Sequence, residues 1–289
     1  MLGAALVLAA AALLGANPIA AKLSYDAGLT VVGVLAVRYA ASTAVMVPLA
    51  LASRRRGAPV VTRGRLLAFA LAYVASATAY FGALQLGRVT DVAPLVFLYP
   101  AMVALVGIVA FGESRDRRRM LAVALGVAGS ACIFGAPSAG DGEILAKALA
   151  LLAAMGSAAY FLVGARGFAL GSSLQGVAAL CALGALIYLP ALALAPPSAD
   201  ELARAWPYLL GMAVLGTALP LGLLGAGMTR LGSTPAAVLS LFEAVVTVLL
   251  ALVLLAERME PLQVAGTLLV LASFPLAVAR GRREKLGSR

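Results

Sequence analysis

The sequence predicts an all-α integral membrane protein of ten transmembrane helices, arranged as two inverted five-helix repeats with both termini inside. Three observations carry that prediction. First, 63% of the 289 residues are hydrophobic and 12% charged, with a mean hydropathy of +1.03. That is far more apolar surface than a soluble domain of this length buries. Second, the apolar residues fall into ten spans, each near the roughly 20 residues that cross a hydrocarbon core about 30 Å thick. Third, the stretch from Pro94 to Ser130 has a counterpart from Val238 to Phe274. Each is an apolar span, a break around one glutamate and a second apolar span, and Glu113 and Glu257 stand 144 residues apart. A chain halved in this way reads as a duplication.

Taken in order, helix 1 (2–23) is apolar from Leu2 and carries Asn17-Pro18 within it; lacking a basic n-region, it reads as a retained span rather than a leader. Asp26-Ala27-Gly28 turns the chain into helix 2 (30–52), which holds Arg38 and Tyr39 and ends at Arg54-Arg55-Arg56. Helix 3 (65–86) sets Tyr73, Ser76 and Tyr80 on one face at i, i+3 and i+7. Helix 4 (91–111) contains Tyr99-Pro100. Helix 5 (119–135) follows Arg117-Arg118-Arg119 and bears the small-residue row Ala122, Gly126 and Ser130, which close helix packing explains. Gly140-Asp141-Gly142 precedes helix 6 (143–164), with Tyr160 and Phe161, and helix 7 (172–195) stops at Pro196-Pro197-Ser198-Ala199-Asp200. Helix 8 (206–230) opens at Trp206, an expected interfacial anchor, as Tyr73 and Tyr208 also can be. Helix 9 (233–256) contains Phe242-Glu243. Helix 10 (260–280) carries a weaker row of Gly266, Val270 and Phe274, and a basic tail follows. The repeats are expected at 1–136 and 137–289.

Orientation follows from Lys and Arg, which accumulate in cytoplasmic loops. With the N-terminus inside, sixteen fall on the cytoplasmic side, from Arg54 to Arg289, and five on the other: Lys22, Arg88, Lys147, Arg204 and Arg258. Five helices per repeat is an odd number, so the second repeat enters the membrane from the opposite side. Inverted repeats around a midplane site are a recurrent plan of secondary transporters.

Several function classes drop out. The net charge of +10 lies in clusters between apolar spans, not along one soluble face, so a nucleic-acid partner is not expected. There is no histidine, which removes imidazole relays, zinc HExxH chemistry and the usual serine triad. Cys132 and Cys181 sit inside apolar spans and do not form a disulfide framework. No Walker or Rossmann glycine motif appears, so ATP drive and a dinucleotide cofactor lack support; no metal is expected either.

The residues Ala12 to Lys22, Val37-Arg38-Tyr39, Leu98-Tyr99-Pro100 with Glu113, and Leu241-Phe242-Glu243-Ala244 leading to Glu257 resemble the EamA-type members of the drug/metabolite transporter superfamily. They look most like its YddG-type amino-acid exporters. The resemblance runs over the whole chain, and Leu14 departs from it where many members carry a tryptophan. It implies two inverted five-helix repeats, a cavity lined by helices 1 to 4 and 6 to 9 with helices 5 and 10 as supports, and export of small metabolites by alternating access. Membrane lipid and a small-molecule substrate are the implied partners, in a bacterial-type inner membrane. A channel, or a lipid-modifying membrane enzyme, is the alternative.

Ionisable groups inside a bilayer are costly and mark functional candidates. Arg38 lies roughly 12 Å into helix 2 and Glu243 roughly 12–15 Å into helix 9, from opposite sides. Three roles fit: a structural ion pair, contacts to a substrate carboxylate and ammonium, or proton coupling at Glu243. Asn17-Pro18 deletes a helical hydrogen bond, so it either lines a site or only kinks helix 1. Tyr80, Tyr99 and Tyr160 fit cavity lining and ordinary packing equally, with Tyr39, Ser76 and Phe242 beside them. Glu113 and Glu257 sit at helix ends, where capping or pairing with arginine is favoured over transport chemistry. The depth count therefore moves the centre to Tyr99 and Glu243, themselves 144 apart: one symmetric position carrying a phenol in one half and a carboxylate in the other.

Overall fold

The computed structural model describes residues 1–52, 63–110, 117–136, 141–165, 174–231, 239–240 and 242–278. Regular structure among the described residues is entirely helical. In chain order the elements are α1 Leu2–Gly15, α2 Asn17–Asp26, α3 Val31–Ala52, α4 Arg63–Leu86, α5 Val89–Val96, α6 Tyr99–Ala110, α7 Arg117–Gly135, α8 Asp141–Ala165, α9 Leu174–Leu194, α10 Ala199–Ala213, a π-helical turn Val214–Ala218, α11 Leu219–Leu231, α12 Phe242–Leu254 and α13 Pro261–Val278. Seven spans are long and apolar enough to cross a bilayer: Leu2–Asp26, Val31–Ala52, Leu67–Leu86, Val89–Ala110, Gly142–Ala159, Val177–Leu194 and Ala199–Leu224. Three shorter apolar helices, Met120–Gly135, Phe242–Leu254 and Pro261–Leu276, stand beside them.

Two expectations need correction. The fourth span, read as continuous, is two helices separated by a turn at Phe97-Leu98. Pro100 has no N–H to give Val96, and its ring crowds that carbonyl, so α5 stops at Val96. The eighth span begins at Ala199, before Trp206. Ser198 Oγ accepts from Glu201 N–H at 3.3 Å while the Glu201 carboxylate accepts from Ser198 N–H at 2.7 Å. This reciprocal capping box starts the helix seven residues early. Trp206 is 57% exposed on α10, as an interfacial anchor requires.

Helices pack most extensively in four pairs: α4 with α8, α7 with α13, α3 with α9, and α1 with α11. Lipid offers no hydrophobic drive between helices, so close approach must come from small residues. On α7 and α13 it does. A Cβ added at Gly129 would stand 2.6 Å from the Gly266 carbonyl oxygen, and one at Gly266 the same distance from that of Gly129. Ala122, Gly126 and Ser130 are buried, Gly126 against Leu98 in the Phe97-Leu98 turn and Ala101 of α6. The row thought weaker, Gly266, Val270 and Phe274, is in the same contact: Val270 is fully buried and lies against Gly129. Outward, Val109 and Val253, 144 apart, are 74% and 75% exposed, so one register faces lipid in both halves of the chain.

Gly129→Val is expected to lower stability by about 1–3 kcal/mol through overpacking, read as a fall in melting temperature in detergent. Gly135→Ala, whose Cβ meets nothing within 4 Å, should leave the melt unchanged.

Candidate functional site

Helix interruptions converge at depth. At the first, α1 ends at Gly15 because Pro18 carries no N–H for the Leu14 carbonyl. The chain re-enters helix at Asn17, with Pro18 in the first turn where the missing donor costs least. Thr247 Oγ1 of α12 donates to the Gly15 carbonyl at 3.0 Å. Gly15 has no side chain for a steric reason: a Cβ would lie 2.7 Å from the Glu243 carbonyl oxygen and 3.0 Å from Val246. The break in the first span is thus seated on the first turns of α12.

The second interruption is the π turn Val214–Ala218. Pro220 leaves the Gly216 carbonyl without its helical donor, and Asn17 Nδ2 supplies one at 2.8 Å. The amide lies so close over Gly216 that any side chain there would collide with it. Thr217 Oγ1 donates to the Met212 carbonyl at 3.1 Å, closing the widened turn. Asn17 Oδ1 is buried without a hydrogen-bond partner. Asn17 therefore joins two irregular segments from opposite ends of the chain, while keeping one acceptor open.

The third and fourth interruptions share a register. Tyr99 opens α6 just after the Phe97-Leu98 turn, and Glu243, 144 residues on, lies in the first turn of α12 just after a turn at Ser240. A carboxylate there faces the positive end of the helix macrodipole. Glu243 N–H donates to the Ser240 carbonyl at 3.0 Å, and Tyr99 stacks edge-on against Phe274 at 6.1 Å. Phe242 is 41% exposed and turns outward from this cluster.

Beside these breaks stands an aromatic group around Arg38, which is only 7% exposed. Its guanidinium carbon sits 5.1 Å from the Phe81 ring centroid and 5.8 Å from that of Tyr39, within cation–π range. Tyr39 stacks on Tyr188 at 5.7 Å and 4° and lies flat on Gly184, where a Cβ would approach the ring to 2.6 Å. Tyr188 Oη is hydrogen-bonded to Thr78, and Tyr25 Oη donates to the Phe81 carbonyl at 3.0 Å. Tyr73 and Tyr80 lie within electrostatic range of both Arg38 and Glu243, and Tyr99 within range of Glu243. Among the described residues Arg38 and Glu243 make no ion pair, with each other or with another group.

The remaining expected positions separate. Ser76, on the tyrosine face by spacing, turns into the α4–α8 interface, hydrogen-bonded to the Ala153 carbonyl at 2.8 Å and to Ser157 at 2.9 Å. The side chains of Tyr160 and Phe161 lie outside the described residues, as do Arg54 to Arg56, Glu113 and the basic tail. Glu257 caps, as its position at a helix end suggested. Its carboxylate accepts from Val89 N–H, Thr90 N–H and Thr90 Oγ1, each at 2.8 Å. Sequence reasoning passed over Phe81, Tyr188, Thr78, Tyr25, Thr247 and Gly216. Pro220 was the available signal for the last, since a proline four residues on orphans a carbonyl.

A model of the EamA-like transporter family matches the chain in two segments, residues 1–135 and 144–278. No curated protein matches it. One solved crystal structure superposes with a TM-score of 0.65 at 17% sequence identity, covering 95% of this chain and 97% of that one; at that identity the likeness is one of fold.

Asn17→Ala removes the donor to a buried carbonyl and should cost about 1–3 kcal/mol. Thr247→Val, near-isosteric, should cost about 1 kcal/mol by the same loss at Gly15. Thermal melts in detergent check both, and values indistinguishable from wild type would mean that water replaces these donors.

Proposed function

The chain belongs to the EamA-like transporter family, within the drug/metabolite transporter superfamily, and on that premise we propose that it is a secondary transporter exporting amino acids or similar small zwitterions. Transport proceeds by alternating access across a bacterial-type inner membrane, in the manner of YddG-type exporters. The observation that carries the substrate class is the pair Arg38 and Glu243: opposite charges, Arg38 buried and Glu243 half-buried, unpaired among the described residues, and ranged around the same tyrosines. A buried charge left alone is costly. A zwitterion supplies each with its partner, a carboxylate for Arg38 and an ammonium for Glu243, while Tyr80 and Tyr99 offer flat apolar faces with single hydroxyls and Tyr39, stacked on Tyr188, backs Arg38. Asn17 Oδ1 adds an open acceptor.

Two halves, 1–136 and 137–289, inverted about a pseudo-two-fold axis with both termini inside, are the architecture this mechanism needs. The pairing of helices supports it. Exchanging the first five spans with the last five turns the α4–α8 contact into the α11–α1 contact and leaves α3–α9 and α7–α13 in place. Interrupted helices at the matching positions of Tyr99 and Glu243 agree with a site at the repeat interface. The family's members are transporters, so an enzymatic reading has no support here.

Proteoliposomes loaded with unlabelled amino acids should take up labelled amino acid by counterflow. Arg38→Gln and Glu243→Gln should each reduce exchange about tenfold or more, the worth of one charge-assisted contact. If Glu243→Gln instead leaves exchange intact but abolishes its dependence on a pH gradient, Glu243 couples protons. No exchange of any amino acid by the wild type, together with no thermal protection by any, would remove the substrate class.

A further inference from the structure

A set of hydrogen bonds and ion pairs gathers at the membrane face reached by the ends of α2, α4, α9 and α12. Arg88, between α4 and α5, bonds through Nε to Asp91 at 3.0 Å and to Glu143 of α8 at 2.9 Å, and through Nη1 to the Arg258 carbonyl at 3.3 Å. Asp91, fully buried, accepts in turn from Gln263 of α13, also fully buried. Gln263 Oε1 takes the Glu260 N–H at 2.7 Å, which holds its amide toward Asp91. Glu257 closes on the first turn of α5 through three donors. On the same face Arg204 of α10 donates to the Ala27 carbonyl at 3.1 Å, beside Gly28, whose φ of +104° requires glycine. Each of these links except the Arg88–Asp91 pair and the Gln263–Glu260 bond runs between residues 1–136 and residues 137–289.

We propose that this network, centred on Glu257 clasping the start of α5, is a latch that holds one face of the transporter closed and must release for that face to open. The inference rests on the alternating-access reading. Glu257 acts by position: it touches no substrate, and it pins the helix that delivers Tyr99 to the interior, roughly 15 Å deeper. A carboxylate on two backbone N–H groups and a hydroxyl is a strong hold, and it reinforces the apolar packing of Val89 and Val92 in one cluster with Leu250, Ala251 and Leu255. Water or bulk cations can take over each group once the face parts, so the contacts are reversible in a way that the glycine packing of α7 on α13 is not.

The test uses a single reporter cysteine, Tyr99→Cys, in a full-length chain with Cys132→Ser and Cys181→Ala, labelled by a membrane-impermeant thiol reagent from either side of the membrane. Adding Glu257→Ala should raise the labelling rate from the face carrying residue 257 about tenfold and lower it from the opposite face, the reciprocal signature of a shifted two-state equilibrium. Equal acceleration from both faces would identify Glu257 as a purely structural cap and overturn the proposal, as would no change. Should Glu257→Ala fail to insert, Asp91→Asn carries the same expectation through Gln263 and Arg88. A second arm cross-links Thr90→Cys to Glu257→Cys with a short reducible reagent: counterflow should stop and return on reduction, and persistence of exchange while cross-linked would also overturn it. Labelling needs no substrate and counterflow does, so failure of the latch and failure of the substrate class give different results.

Discussion

Within a bilayer every backbone N–H and C=O must find its partner inside the protein, because no water waits to take it. Much of this structure answers that constraint at four interruptions among the described residues. Prolines at 18, 100 and 220 each delete one donor and orphan one carbonyl near the middle of a span. Two side-chain bonds at these breaks cross the bundle: Asn17 serves the Gly216 carbonyl that Pro220 orphans, and Thr247 serves Gly15, next to the Leu14 carbonyl that Pro18 cannot reach. At these two breaks the irregular backbone therefore becomes a contact between helices far apart in sequence. Irregular backbone at depth is tolerable only where protein or a cavity surrounds it, and these breaks surround the residues whose chemistry suits a small polar ligand.

Charge is distributed by the same logic. Arg88, Asp91, Glu143 and Glu257 lie near one face, where Arg88 joins Asp91 to Glu143, Asp91 also meets Gln263, and Glu257 holds Val89 and Thr90. Arg38 and Glu243 lie inside their spans and are not paired among the described residues. Cation–π contacts with Phe81 and Tyr39 return about 2 kcal/mol each to a desolvated guanidinium, against a penalty of several kcal/mol for removing it from water, and they leave its N–H donors without acceptors among the described residues. The network near the face satisfies its own charges. The interior pair does not, and that imbalance is the physical reason for proposing substrate recognition there.

The helix-scale plan was legible because it depends on quantities that sequence carries directly. Apolar runs of membrane length, turn residues between them and the 144-residue offset from Glu113 to Glu257 set the spans, and the capping role of Glu257 followed from its place at a helix end. The depth count moved attention to Tyr99 and Glu243 as mid-span residues, and it is the structure that sets each just after a turn. The fourth span's interruption was legible in principle from Pro100, and the early start of α10 from Ser198 and Glu201, but composition in a window conceals both. Ser76 shows the limit of periodicity: it shares a face with Tyr73 and Tyr80 by spacing, yet its hydroxyl enters the α4–α8 interface.

By itself the sequence determined that this chain must be helical and membrane-embedded, and which residues are too polar to meet lipid. Those properties are sums along one dimension: length, hydropathy and rise per residue. Which orphaned carbonyl meets which amide, that Arg38 rests on Phe81 and not on Glu243, and that Glu257 reaches across to α5 were decided by tertiary structure alone. They depend on the rotation and crossing of helices, set by glycine contacts such as Gly129 on Gly266, where a difference of one methyl group redirects a whole face.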